Sequence, residues 1–91
     1  MRLKIHVIIS GKVQGVWFRV NTKNKAEQLN LTGWVRNTSD GKVEAIFEGE
    51  ERDINKMTKW CYEGPPLANV KNVNVETKSQ LNGFLRFEIK Y

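Results

Sequence analysis

Apolar residues recur at every second position in several short runs of this chain, which commits those runs to strands with one buried face. Leu3, Ile5, Val7 and Ile9 open the series, and Val43, Ala45 and Phe47 repeat it. Val70, Val73 and Val75 begin a further strand, and Leu85, Phe87, Ile89 and Tyr91 alternate in the last one. Two stretches between them are of another kind. Val20 to Leu31 is rich in Lys, Asn, Glu, Gln, Ala and Leu and reads as a helix. From Glu51 to Tyr62 the period changes, with Ile54, Met57 and Cys61 on one helical face and Trp60 beside it. Glu50, Glu51 and Asp53 suit that helix's N-terminus, and Gly64-Pro65-Pro66 stops it. Gly33 to Thr38 supplies another strand, joined to Val43 by Ser39-Asp40-Gly41-Lys42, where Asp-Gly signals a tight antiparallel hairpin. The order is β-α-β-β-α-β, with the final β split in two by Ser79 to Gly83. It predicts a ferredoxin-like α+β sandwich: one mainly antiparallel sheet with two helices on one face. Residues 1–91 are expected to form one domain, with most of the three tryptophans and four phenylalanines in its core.

The segment joining the first strand to the first helix carries the chemistry. It reads Gly11-Lys12-Val13-Gln14-Gly15-Val16-Trp17-Phe18-Arg19. Free N–H groups at a helix start, with the helix dipole behind them, favour an anion. Gly15 can take positive φ and let successive N–H groups curl inward. Arg19 adds a planar, permanently charged fork that matches phosphate oxygens. Glycine also serves in ordinary strand-to-helix turns, so loop geometry alone leaves both readings open. GxxxxGK[ST] and GxGxxG are absent, which argues against a nucleotide site of those kinds.

Charge supports the anion reading. The chain is +5 overall, and residues 1–42 hold eight of its fifteen basic residues but only Glu27 and Asp40 of its ten acidic ones. The excess surrounds the glycine loop, as expected where a small anion is drawn in. Asn37 stands just before the hairpin turn. It serves there as a turn residue or, beside a phosphate loop, as an amide that holds a water without adding negative charge.

Other residues point to no further chemistry. Cys61, the one cysteine, falls on an apolar helical face and is expected as a buried thiol. His6, in mid-strand, is expected to be structural. With one histidine and no close carboxylate–histidine set, no metal site is expected. No signal peptide opens the chain and no apolar run approaches the roughly 18 residues that span a membrane. Neither a membrane nor an export route is therefore expected, and the location is expected to be cytoplasmic. On those grounds the glycosylation patterns Asn30-Leu31-Thr32 and Asn37-Thr38-Ser39 are read as chance matches.

Two long segments now resemble one known family. Gly11 to Arg19, and Gly33-Trp34-Val35-Arg36-Asn37-Thr38-Ser39-Asp40-Gly41-Lys42-Val43-Glu44, look like the two signature segments of the acylphosphatases. The likeness extends to Ala26 and Leu29, to Gly64-Pro65-Pro66-Leu67, and to the closing Phe87-Glu88-Ile89-Lys90-Tyr91. It implies hydrolysis of small-molecule acyl phosphates to a carboxylate and inorganic phosphate, without metal or organic cofactor. It also implies that Arg19 and Asn37 are catalytic, and that Gln14, Gly15, Val16, Trp17 and Phe18, together with Arg19, cradle the phosphate. Inorganic phosphate is then both product and expected inhibitor, and the protein is expected to be a monomer. Many prokaryotic members carry glycine where this chain has Trp17, a departure that bears on rate and substrate preference, not on reaction class. A basic β-α-β-β-α-β domain also invites an RNA-binding reading, but the K/R-G-F/Y-G/A-F-V-x-F/Y pattern is absent and no nucleic-acid partner is expected. A catalytically silent anion-binding domain would share every binding feature and differ only in turnover.

Overall fold

A computed structural model describes residues 1–91. Its elements are β1 (Arg2–Lys12), α1 (Phe18–Gln28), β2 (Thr32–Asn37), β3 (Val43–Glu50), α2 (Glu51–Glu63), β4 (Asn69–Lys78) and β5 (Phe87–Lys90). The strands form one sheet in the order β4-β1-β3-β2-β5. All neighbours are antiparallel except β2 and β5, which run parallel. The helices touch each other and pack over the face that carries Ile5, Val7, Ile9, Val35, Ala45 and Phe47. Ile54, Met57 and Cys61 meet that face from α2, as the helical spacing requires, and Phe18 and Ala26 meet it from α1. This is the ferredoxin-like α+β sandwich.

The last two strands are not halves of one interrupted strand. β4 pairs with β1 at one edge of the sheet and β5 with β2 at the other. The chain between them crosses the end of the sheet. Glu48, which alternation alone would turn to solvent, is buried beneath that crossing and accepts hydrogen bonds from the backbone N–H groups of Asn82 and Gly83, each at 2.8 Å.

Helix α1 also begins and ends earlier than its composition suggests. Asn30, at φ 57, takes the left-handed position after Leu29. Leu31 N–H then bonds Ala26 O at 2.8 Å and Asn30 N–H bonds Glu27 O at 3.1 Å, a Schellman ending that leaves Leu31 buried before β2. Gly11 belongs to β1, at a register shift after Ser10, and not to the loop. There φ is 120, and a Cβ would run into the Asn69 carbonyl oxygen.

The aromatic residues divide by type. Phe18, Phe47 and Phe87 are buried and Phe84 is half-buried, while Trp34 and Trp60 are half-buried and Trp17 is exposed. Cys61 is fully buried, and that burial pushes its thiol up to about 12, so it stays protonated. His6 faces away from the helices, its Nε2 2.7 Å from Glu44 Oε2, while Arg36 Nε donates to Glu44 Oε1 at 2.6 Å. These bonds, the one to His6 first, hold the Glu44 carboxyl below its usual range. No helix is long and apolar enough to cross a membrane.

Candidate functional site

The loop between β1 and α1 is pinned at two points. Val13 and Val16 are buried in the core, and the residues that alternate with them, Gly15 and Trp17, face outward. Gly15 has φ 72 and Trp17 has φ 65, so two residues out of three take the left-handed conformation that curls backbone N–H groups toward a common centre. An alanine Cβ at Gly15 would meet no atom within 4 Å, so glycine is required there by the backbone angle alone. Trp17 takes the same kind of angle with a large side chain, at a conformational cost of about 1 kcal/mol or more.

Trp17 is the N-cap of α1, and no side chain caps that end. The first turn holds no acidic residue. The helix therefore presents its unpaired N–H groups, with the positive end of its dipole, to whatever lies in front of them. Phe18 anchors the first turn in the core by an edge-on contact with Trp60 at 5.5 Å between ring centres. Arg19, the next residue, is half-buried and takes part in no ion pair. Its guanidinium carbon sits 5.0 Å from the centre of the Tyr91 ring, which supports the flat face of the group and leaves its N–H donors uncommitted.

Asn37 closes β2, where it pairs with Val43 at the start of β3. A side chain of the loop ties this hairpin to the helix start. Gln14 Nε2 donates to Thr38 O at 2.8 Å and to Lys42 O at 2.9 Å. Inside the hairpin, Thr38 N–H bonds Lys42 O at 2.9 Å and Lys42 N–H bonds Thr38 Oγ1 at 3.0 Å. Asn37 itself stays apart from this network. Its Oδ1 is buried and has no hydrogen-bond partner within the protein. A buried carbonyl oxygen left so costs about 1–3 kcal/mol, a cost that collects at sites with work to do.

These residues surround one cavity of about 270 Å³, lined by Val13, Gly15, Trp17, Phe18, Arg19, Val20, Asn37 and Tyr91. Of the residues singled out from sequence, Gly15, Trp17, Phe18, Arg19 and Asn37 meet there. Gln14 and Val16 do not line it: the side chain of the first braces the hairpin and that of the second fills the core. Val13, Val20 and Tyr91 are additions. Tyr91 was visible in principle, because it extends the Phe87–Ile89 alternation onto the helix-facing side. Arg19 and Tyr91 are the only ionisable side chains on the wall, with no carboxylate among them. No group of three or more His, Cys, Asp or Glu side chains comes together anywhere in the fold.

Comparison with known proteins points to one family. The family model described as Acylphosphatase matches residues 5–89. An acylphosphatase of Pelotomaculum thermopropionicum is 47% identical over 90 residues, covering 99% of this chain and 98% of that protein. The structure of an acylphosphatase from Coxiella burnetii superimposes with a TM-score of 0.94 at 47% identity, covering 98% of this chain and 93% of the other. The crystal structure of the acylphosphatase from Bacillus subtilis gives 0.95 at 36% identity, over 98% and 99% of the two chains.

Proposed function

The chain belongs to the acylphosphatase family and hydrolyses acyl phosphates to a carboxylate and phosphate, and we propose that it does so on the β1–α1 loop with Arg19 and Asn37 as its catalytic residues. Backbone N–H groups of Gln14 to Phe18 and of the first turn of α1 bind the phosphoryl oxygens. Arg19 sets its donor fork against two of those oxygens and offsets the charge that shifts onto them as the bond to the acyl oxygen breaks. Asn37 Oδ1 accepts a hydrogen bond from a water and aims its lone pair at phosphorus, in line with the leaving oxygen.

The leaving group needs no proton. A carboxylic acid has a pKa of roughly 4, so the carboxylate departs as an anion at neutral pH. No Asp or Glu side chain lines the cavity, which suits this chemistry, because a negative side chain would repel the dianion. The proton released by the attacking water passes to a phosphate oxygen of the substrate itself. Gln14 contributes through its backbone N–H, while its side chain fixes the distance between loop and hairpin.

One observation carries this reading. A guanidinium without a counter-ion and a buried amide oxygen without a partner lie on the same small cavity at a helix N-terminus. The working unit is residues 1–91 acting as one domain and as a monomer in the cytoplasm, with no metal, organic cofactor, nucleic acid or membrane taking part. Hydrolysis of benzoyl phosphate by the purified protein tests it. Turnover should be unchanged in the presence of a chelator, and inorganic phosphate should inhibit competitively. A chelator-sensitive rate would point to another mechanism.

A further inference from the structure

Three apolar side chains stand exposed where the cavity opens. Trp17 is 70% exposed, Val20 44% and Tyr91 99%, whereas Val13 and Phe18 beneath them are buried. Exposed apolar groups gathered at one rim suggest that something covers them in use. Trp17 carries a second cost, because its backbone angle is one that glycine satisfies without strain. A bulky indole at a left-handed position, projecting from the wall of a polar seat, calls for a reason in binding.

Covalent connectivity limits what the rim can touch. In an acyl phosphate the carbonyl carbon is one bridging oxygen away from phosphorus. With the phosphoryl group on the loop N–H groups and Arg19, the acyl group must lie within a few bonds of the same wall. In-line attack sends it away from the water at Asn37. Once Gly15, Arg19 and Asn37 are assigned to the phosphoryl group and the water, the wall that remains is apolar, and its exposed part is Trp17, Val20 and Tyr91.

We propose that Trp17, Val20 and the ring of Tyr91 form an acyl-binding subsite that favours acyl phosphates with a flat, apolar, preferably aromatic acyl group over acetyl phosphate. The proposal rests on the phosphate seat described under the proposed function. An aryl ring would cover the indole face and the valine methyls and remove their apolar surface from water, and ring-to-ring contact adds to that gain. An acetyl group offers one methyl and reaches little of the rim. Arg19 is supported by the same Tyr91 ring, so the rim and the phosphate-binding fork are held as one unit.

The test compares kcat/KM for benzoyl phosphate and acetyl phosphate in the wild type, in Trp17→Gly and in Val20→Asn. Taking the ratio of the two substrates in each protein cancels any general effect on the loop, and comparing each variant's ratio with the wild type's cancels the substrates' intrinsic reactivities. The benzoyl-to-acetyl ratio should fall about fivefold in Trp17→Gly and about threefold in Val20→Asn. Glycine fits the backbone at residue 17, and Val20 lies on the exposed side of α1, so both variants should fold. A ratio equal to wild type in both variants would overturn the subsite while leaving acyl phosphate hydrolysis in place. A wild type that turns over neither substrate would instead overturn the phosphate seat on which the subsite rests.

Discussion

Arg19→Ala is expected to abolish turnover and inhibition by inorganic phosphate together, with kcat/KM for an acyl phosphate lowered by at least about 10³. The reason is geometric as well as electrostatic. Arg19 has no carboxylate partner, so its charge is not already neutralised by the protein. It lines a cavity that also takes in the N-terminus of α1 and no Asp or Glu side chain. Lysine would restore the charge but not the planar pair of N–H donors, and it would stack less well on Tyr91. Arg19→Lys should therefore recover only a small part of the lost rate. Stability is the control. An alanine in the first turn of α1 sacrifices no helix propensity, and the lost contact with Tyr91 is worth about 0.5–1 kcal/mol at an exposed site. Thermal unfolding should shift slightly while catalysis disappears. A lysine variant with near wild-type turnover would remove the bidentate role.

Asn37→Ala is expected to separate the two halves of the chemistry. With the water no longer aimed, kcat should fall by about 10² or more, while the loop and Arg19 still bind phosphate and inhibition by it persists. Folding stability should move the other way or not at all, because the substitution deletes a buried oxygen that has no partner. Asn37→Asp is the sharper variant: similar in shape, but placing negative charge beside the phosphoryl group, it should weaken phosphate inhibition as well as kcat. Measured kcat, phosphate inhibition and denaturant midpoint for the three proteins decide the matter. A large loss of phosphate affinity in Asn37→Ala with kcat intact would move this residue into phosphate binding.

Much of this was legible before any coordinates. The period-two runs, the Asp40-Gly41 turn and the spacing of Ile54, Met57 and Cys61 fix the order of elements and the buried faces, because each is a local consequence of backbone geometry. The loop from Gln14 to Arg19 and the amide at Asn37 could be singled out as candidates from residue type and family resemblance, and the fold brings Gly15, Trp17, Phe18, Arg19 and Asn37 to one cavity. The rest is non-local. Whether β5 sits beside β4 or across the sheet depends on which edge remains open, and that is decided by β2 offering Gly33 to Phe87. Glu48 reads as a solvent-facing residue until the 79–86 crossing covers it. That the Gln14 side chain holds two hairpin carbonyls, leaving only its backbone for the loop's chemistry, is likewise visible only in the fold. Trp17, by size a core residue, is turned outward by its own positive φ.

The central claim is that the backbone donors ahead of α1 and the Arg19 guanidinium together seat a phosphoryl group within reach of Asn37. A crystal structure of the protein saturated with inorganic phosphate tests it most directly. The phosphate should lie on the loop, about 2.7–3.1 Å from several backbone nitrogens and from two Arg19 nitrogens, with a water or phosphate oxygen on Asn37 Oδ1. Phosphate bound elsewhere, or an Arg19 still resting on Tyr91 without touching it, would contradict the claim.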